Sequence, residues 1–150
     1  MFEIREIDTS VVYYIEQEMT NEWGSNVEVL DSYPQDLKNL MPPVVAVDCN
    51  TIRPNPLEIG TEDTHDYYYW HIHIFGRKTG ERDDITNAVI DLLESGCAIL
   101  DFSTGVAGDS KGFVNFQDIN ARPIRWGRTA PVGVRHHAVI VTKGDVTITD

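Results

Sequence analysis

Cysteine is scarce in this chain. It occurs twice, at Cys49 and Cys97, and not as a C-x-x-C pair. A disulfide scaffold needs more of them. Long apolar runs are missing too: nothing approaches the roughly 20 residues that span a bilayer. The opening "MFEIREIDTS" lacks the basic start and apolar run of a signal peptide. These absences lead to the expectation of a protein made and kept in a cytoplasm, with no membrane partner. Positive charge is also short, with 12 Lys and Arg against 24 Asp and Glu, a net charge of −12. That disfavours a general nucleic-acid binder, because binding DNA needs cations to displace counterions. No H-E-x-x-H and no internal repeat is visible.

What is present suits a domain with a core: 150 residues, 41% of them apolar. The charge is unevenly spread. Residues 1–66 hold 14 acids and 3 bases, whereas residues 67–150 hold 10 acids and 9 bases. The segment "ARPIRWGRTAPVGVRHH" carries Arg122, Arg125, Arg128 and Arg135 and no acid. One end of the chain is acidic and one late loop is basic.

Periodicity predicts a helix over 10–23, with Ser10 as its cap and Val11, Val12, Ile15 and Met19 on one stripe. "NVEVL" predicts a short strand, and "SYPQDLKNL" one or two helical turns started by Pro34. "VVAVDC" reads as a buried strand, and "NTIRPNPLEIG", with its prolines, as an edge or loop. "THDYYYWHIHIFG" is the strongest strand signal. Alternation puts Tyr68, Trp70, Ile72 and Ile74 on a core face, and Tyr67, Tyr69, His71, His73 and Phe75 on the other. A helix over about 81–95 follows, with Glu81, Asp83 and Asp84 in its first turn, a stripe of Ile85, Ala88, Val89, Leu92 and Leu93, and Gly96 as its stop. "CAILDF" and "FVNFQDINARPIRW" predict strands around the loop "STGVAGDSKG". "HAVIVTKGDVTIT" predicts a hairpin turning at Lys143-Gly144. The expected class is α+β: two main helices packed on a mostly antiparallel sheet.

Chemistry finds few footholds. His71 and His73 share one side of a strand, workable for zinc with His136 or His137 as third ligand. A small metal-dependent enzyme would follow. No carboxylate or cysteine stands beside the pair at ligand spacing, so these side chains read instead as amphipathic rings on a second face. "GVAGDSKG" lacks the Gly-Lys-Ser/Thr order of a phosphate loop, and a strand is predicted behind it. The neighbouring acids Glu62/Asp63 and Asp83/Asp84 point apart and form no catalytic dyad. No catalytic residue, metal or cofactor is expected. Tyr, Trp and Arg are the residues that carry interface energy. The contact candidates are therefore Tyr67, Tyr69, Trp126 and the four arginines 122, 125, 128 and 135. A monomeric module whose basic loop takes an acidic partner is one use of them. A head-to-tail contact between copies, closing into a ring, is another.

An acidic N-terminal helix precedes "VLDSYPQDLKNLMPPVVAVD". "RPNPLEIGTED" then leads into "YYYWHIHIFGRKTGERDDITNAVIDLLESG" and "AILDFSTG". Over roughly residues 10–105 this resembles the small neck proteins of tailed bacteriophages, the tail terminator or tail-completion group. The resemblance implies an α+β subunit forming a ring, often of six, at the head-proximal end of the tail tube. Such a ring stops tube growth and offers a docking face to the head connector, with the tail-tube protein as its other partner. DNA passes through without specific binding. The implied place is the virion neck, with assembly in the host cytoplasm. A head-completion or adaptor protein of the same neck is the alternative.

Overall fold

A computed structural model of the protein describes residues 4–56 and 64–148. The chain runs helix α1 (Ile4–Trp23), strands β1 (Glu28–Leu30), β2 (Val44–Pro56) and β3 (Thr64–Gly76), helix α2 (Thr79–Ser95), then strands β4 (Cys97–Leu100), β5 (Ser110–Ile124) and β6 (His136–Ile148). The strands form one six-stranded sheet in the order β1-β2-β3-β6-β5-β4. β1 and β2 pair in parallel and every other pairing is antiparallel. The expected α+β class is the observed one. Among the described residues no helix is long and apolar enough to cross a membrane.

Both helices cover the same face of the sheet. Ile7, Val11, Ile15 and Met19 repeat every fourth residue along α1 and are fully buried. Ile85, Val89 and Leu93 do the same on α2. Beneath them lie Val45 and Val47 of β2, Tyr68, Trp70, Ile72 and Ile74 of β3, Ile99 of β4, Val114 and Phe116 of β5, and Ile140 of β6. The core face expected for β3 is thus the real one. α2 packs over β3, β5 and β6, while α1 touches β4 at one end of the strand order and β1 and β2 at the other. The sheet is therefore curled enough for one helix to bridge its two edges.

Ser10 shows how that bridge is made, and it corrects the predicted cap. The helix starts at Ile4, so Ser10 lies inside it. Its hydroxyl donates to the Glu6 carbonyl (2.7 Å) and accepts from the Leu100 amide (2.9 Å). The side chain satisfies an edge donor of β4 rather than a helix end. The Tyr14 hydroxyl adds a bond to the Leu92 carbonyl (3.1 Å), tying α1 to the end of α2.

Three further expectations change. Lys143-Gly144 is no turn, because β6 runs straight through it. Glycine stands at 144 because a Cβ there would overlap the Trp70 ring. α2 begins at Thr79, which leaves Glu81 as the acid of its first turn. Glu81 reaches back to the Arg77 amide (2.9 Å) and grips the Arg77 guanidinium, much as a capping box closes a helix start. Within its stripe Leu93 is fully buried, while Ala88 and Leu92 are half-buried. Finally, "SYPQDLKNL" forms turns and not a helix. Residues 31–43 connect parallel strands, which takes a crossover of about a dozen residues. Asn39 donates to the Asp36 carboxylate (2.7 Å) within it. "NTIRPNPLEIG" is strand as far as Pro56. β1 pairs only up to Ala46, so this part of β2 is an edge. Its remaining residues lie outside the described ones, as do Glu62 and Asp63.

Among the described residues the second face of the sheet carries no α-helix. The crossover, through Tyr33, Leu37 and Leu40, and the segment 125–135, through Ala130 and Val134, pack over Val44 and Phe75. Two straps thus build a smaller core on this side.

Candidate interaction surfaces

The straps meet over a pair of histidines. Alternation along β3 puts His73 on the second face, and register places His137 of β6 opposite Phe75. His73 Nδ1 lies 2.9 Å from His137 Nε2. The Trp126 indole N–H donates to His137 Nδ1 (3.1 Å). An indole nitrogen can only donate, so His137 Nδ1 accepts. In the neutral ring the proton then sits on Nε2, which donates to His73 Nδ1. The chain Trp126 → His137 → His73 runs in one direction. His137 stacks on Phe75 (centroids 4.3 Å, 16° between planes), and Tyr33 meets His73 edge-on (4.7 Å).

A histidinium at either position would be desolvated, and two together would repel each other. Burial pushes the His137 imidazole down to about 4, and repulsion from His73 adds to it. Burial also lowers His73, with His71 lowering it further and Asp48 opposing. The neutral pair is a lock that fixes Trp126, and with it the basic strap, to the sheet. As a ligand set the histidines do not converge. His136 sits 3.3 Å from the Thr79 hydroxyl. Among the described residues no three His, Cys, Asp or Glu side chains lie close enough to hold a metal.

The predicted contact residues fall into two groups. Trp126 is 37% exposed, so it anchors the strap with its nitrogen and offers part of its ring to solvent. Arg122 lies near the end of β5, in register with Val139, and Arg125, Arg128 and Arg135 lie along the strap. All four are exposed, and none forms an ion pair among the described residues. The strap is held by its own backbone: Ala130 donates to Gly127 (3.1 Å), and Arg135 to Val132 (3.3 Å) at the end of a 3₁₀ turn over Val132–Val134. Tyr69 is half-buried on the second face, opposite Lys143. The Tyr67 side chain lies outside the described residues, although its backbone pairs with Ile52.

A third surface was missed from sequence. On the helix side, Asp8, Val12 and Glu16 stand one turn apart on α1, with Asp8 half-buried, Val12 packed against the rim of the core and Glu16 exposed. With Tyr13, Asp31 and Phe102 they line a groove of about 720 Å³ that has no basic residue in its lining among the described residues. Tyr13 and Phe102 meet edge to face (5.8 Å). Burial holds the Asp8 carboxyl above its ordinary range, a hydrogen bond with Cys49 pulls it back, and Asp48 repels it. Its Oδ1 has no hydrogen-bond partner among the described residues. The spacing 8, 12, 16 is readable in the sequence, but Asp31 and Phe102 come from distant segments.

Other side chains weighed from sequence have structural work. Lys111 of the "GVAGDSKG" stretch sits at the start of β5 and pairs with Glu6 (3.2 Å) and Asp101 (3.7 Å). Neither cysteine forms a disulfide, and burial pushes the Cys97 thiol up to about 12, far from a reactive thiolate. Compared with known proteins, the chain matches no family model and no curated protein.

Proposed function

We propose that this protein is a structural subunit of a tailed-phage neck, of the tail terminator kind, assembling with copies of itself into a ring, of six in the usual case. The observation that carries the reading is the opposition of charge across the sheet. An acidic groove lies on the helix side, and exposed arginines that form no ion pair among the described residues lie on the strap side. A subunit with unlike complementary faces associates head to tail, and such contacts close into rings when the rotation allows. The resemblance over residues 10–105 supplies the setting: tail tube on one side, head connector on the other. The acid surplus of residues 1–66 suits a channel that DNA crosses without sticking, because carboxylates deny DNA its counterion release.

The test is electron microscopy of the purified protein, alone and with isolated tail tubes, alongside its mass in solution. Closed rings, free or capping tube ends, are expected. A protein that stays monomeric in solution and leaves tube ends bare would overturn the reading.

A further inference from the structure

We infer that copies join by seating the arginine strap of one in the acidic groove of the next, an inference that rests on the ring reading above. The groove presents Asp8, Glu16 and Asp31, with no base along its lining among the described residues and two aromatic rings, Tyr13 and Phe102, in its wall. That is a receptor for guanidinium: carboxylates take its fork of N–H donors, and ring faces take its flat side. The strap supplies the matching groups. Arg125, Arg128 and Arg135 stand exposed on a segment without acids and form no ion pair among the described residues.

One chain cannot satisfy itself this way. The groove is built on α1 over the helix-covered face, while the strap packs on the opposite face, and no strap residue lines the groove. The contact must therefore link different copies, strap to groove, leaving a free strap and a free groove at the two ends of any pair. One feature favours binding. The strap is already ordered by its backbone bonds and by Trp126 on His137, so little freedom is lost on docking.

Charge reversal in both directions tests this. One variant carries Glu16→Lys and Asp31→Lys; the other carries Arg125→Glu and Arg128→Glu. All four positions are exposed, so the fold should survive, which circular dichroism checks. Sedimentation velocity then reads association at low and high salt. Wild-type association should weaken with salt, and each variant alone should lose affinity by at least about tenfold. Mixing the two, or joining all four changes in one chain, should restore it, because Lys then meets Glu. Association of both variants like wild type, a mixture that stays apart, or a wild type that is monomeric in low salt at its highest soluble concentration would each overturn the contact. Closed rings that ignore both variants would sink the contact and leave the ring standing. Open chains that obey the charge rules would keep the contact and sink the ring.

Discussion

The two faces of the sheet are covered by different means. On one, α1 and α2 bury a continuous apolar layer from Ile7 to Ile140 around Trp70. On the other, two irregular straps cover a small patch around Val44, Phe75 and Val134, and beside it lie hydrogen-bonded histidines. Area-proportional burial makes the helix face the main source of stability. The strap face depends on directional bonds, each of modest net worth but costly to break when buried. Stability is thus concentrated on the helix face, and the arginines are mounted on the side that a few bonds hold in place. Such a strap can be perturbed without unfolding the domain.

Truncation sharpens the contrast most. Leu93→Ala, in the fully buried stripe of α2, is expected to cost about 2–5 kcal/mol. Its half-buried neighbour Leu92→Ala should cost clearly less. Urea midpoints at constant slope measure both, and equal losses would contradict the observed phase of the helix.

Acid should attack the other face. Between pH 6.5 and about 4 the unfolded chain protonates His137 while the folded chain resists. Stability therefore falls as pH drops below 6.5 and levels off near 4; above 6.5 this group adds no slope. At about 1.4 kcal/mol per pH unit the loss reaches about 3 kcal/mol, with His73 adding in the same direction. His137→Gln should flatten that window in thermal melts taken across pH, even if it lowers stability at pH 7. An unchanged slope would mean that the ring protonates freely in the fold.

The smallest effect is the most local. Trp126→Phe keeps an aromatic ring and removes the indole donor, leaving His137 Nδ1 without its bond. A loss of about 1 kcal/mol is expected. Trypsin cleavage at Arg125 and Arg128 should rise much more than global unfolding does, because the strap loses its tie while the helix face keeps its core. Parallel changes in both would show that the strap is no separate unit.

Local order was legible wherever a single segment decides its own shape. The alternation of β3, the four-residue repeats of both helices and the stop at Gly96 follow from side-chain period and backbone freedom, which act within a few residues. So does the one-sided charge of residues 121–137. Tertiary structure decided the rest, because the deciding partner lies far along the chain. Ser10 reads as a cap until Leu100, the donor its oxygen serves, is brought beside it. Gly144 reads as a turn until Trp70 occupies the space of its missing Cβ. Pro34 reads as a helix start until parallel pairing of β1 and β2 makes its segment a crossover. His73 and His137 are 64 positions apart, and Asp8 and Phe102 are farther still. Pairing of β3 with β6 makes a lock of the first pair, and the packing of α1 against both edges of the sheet makes a groove of the second.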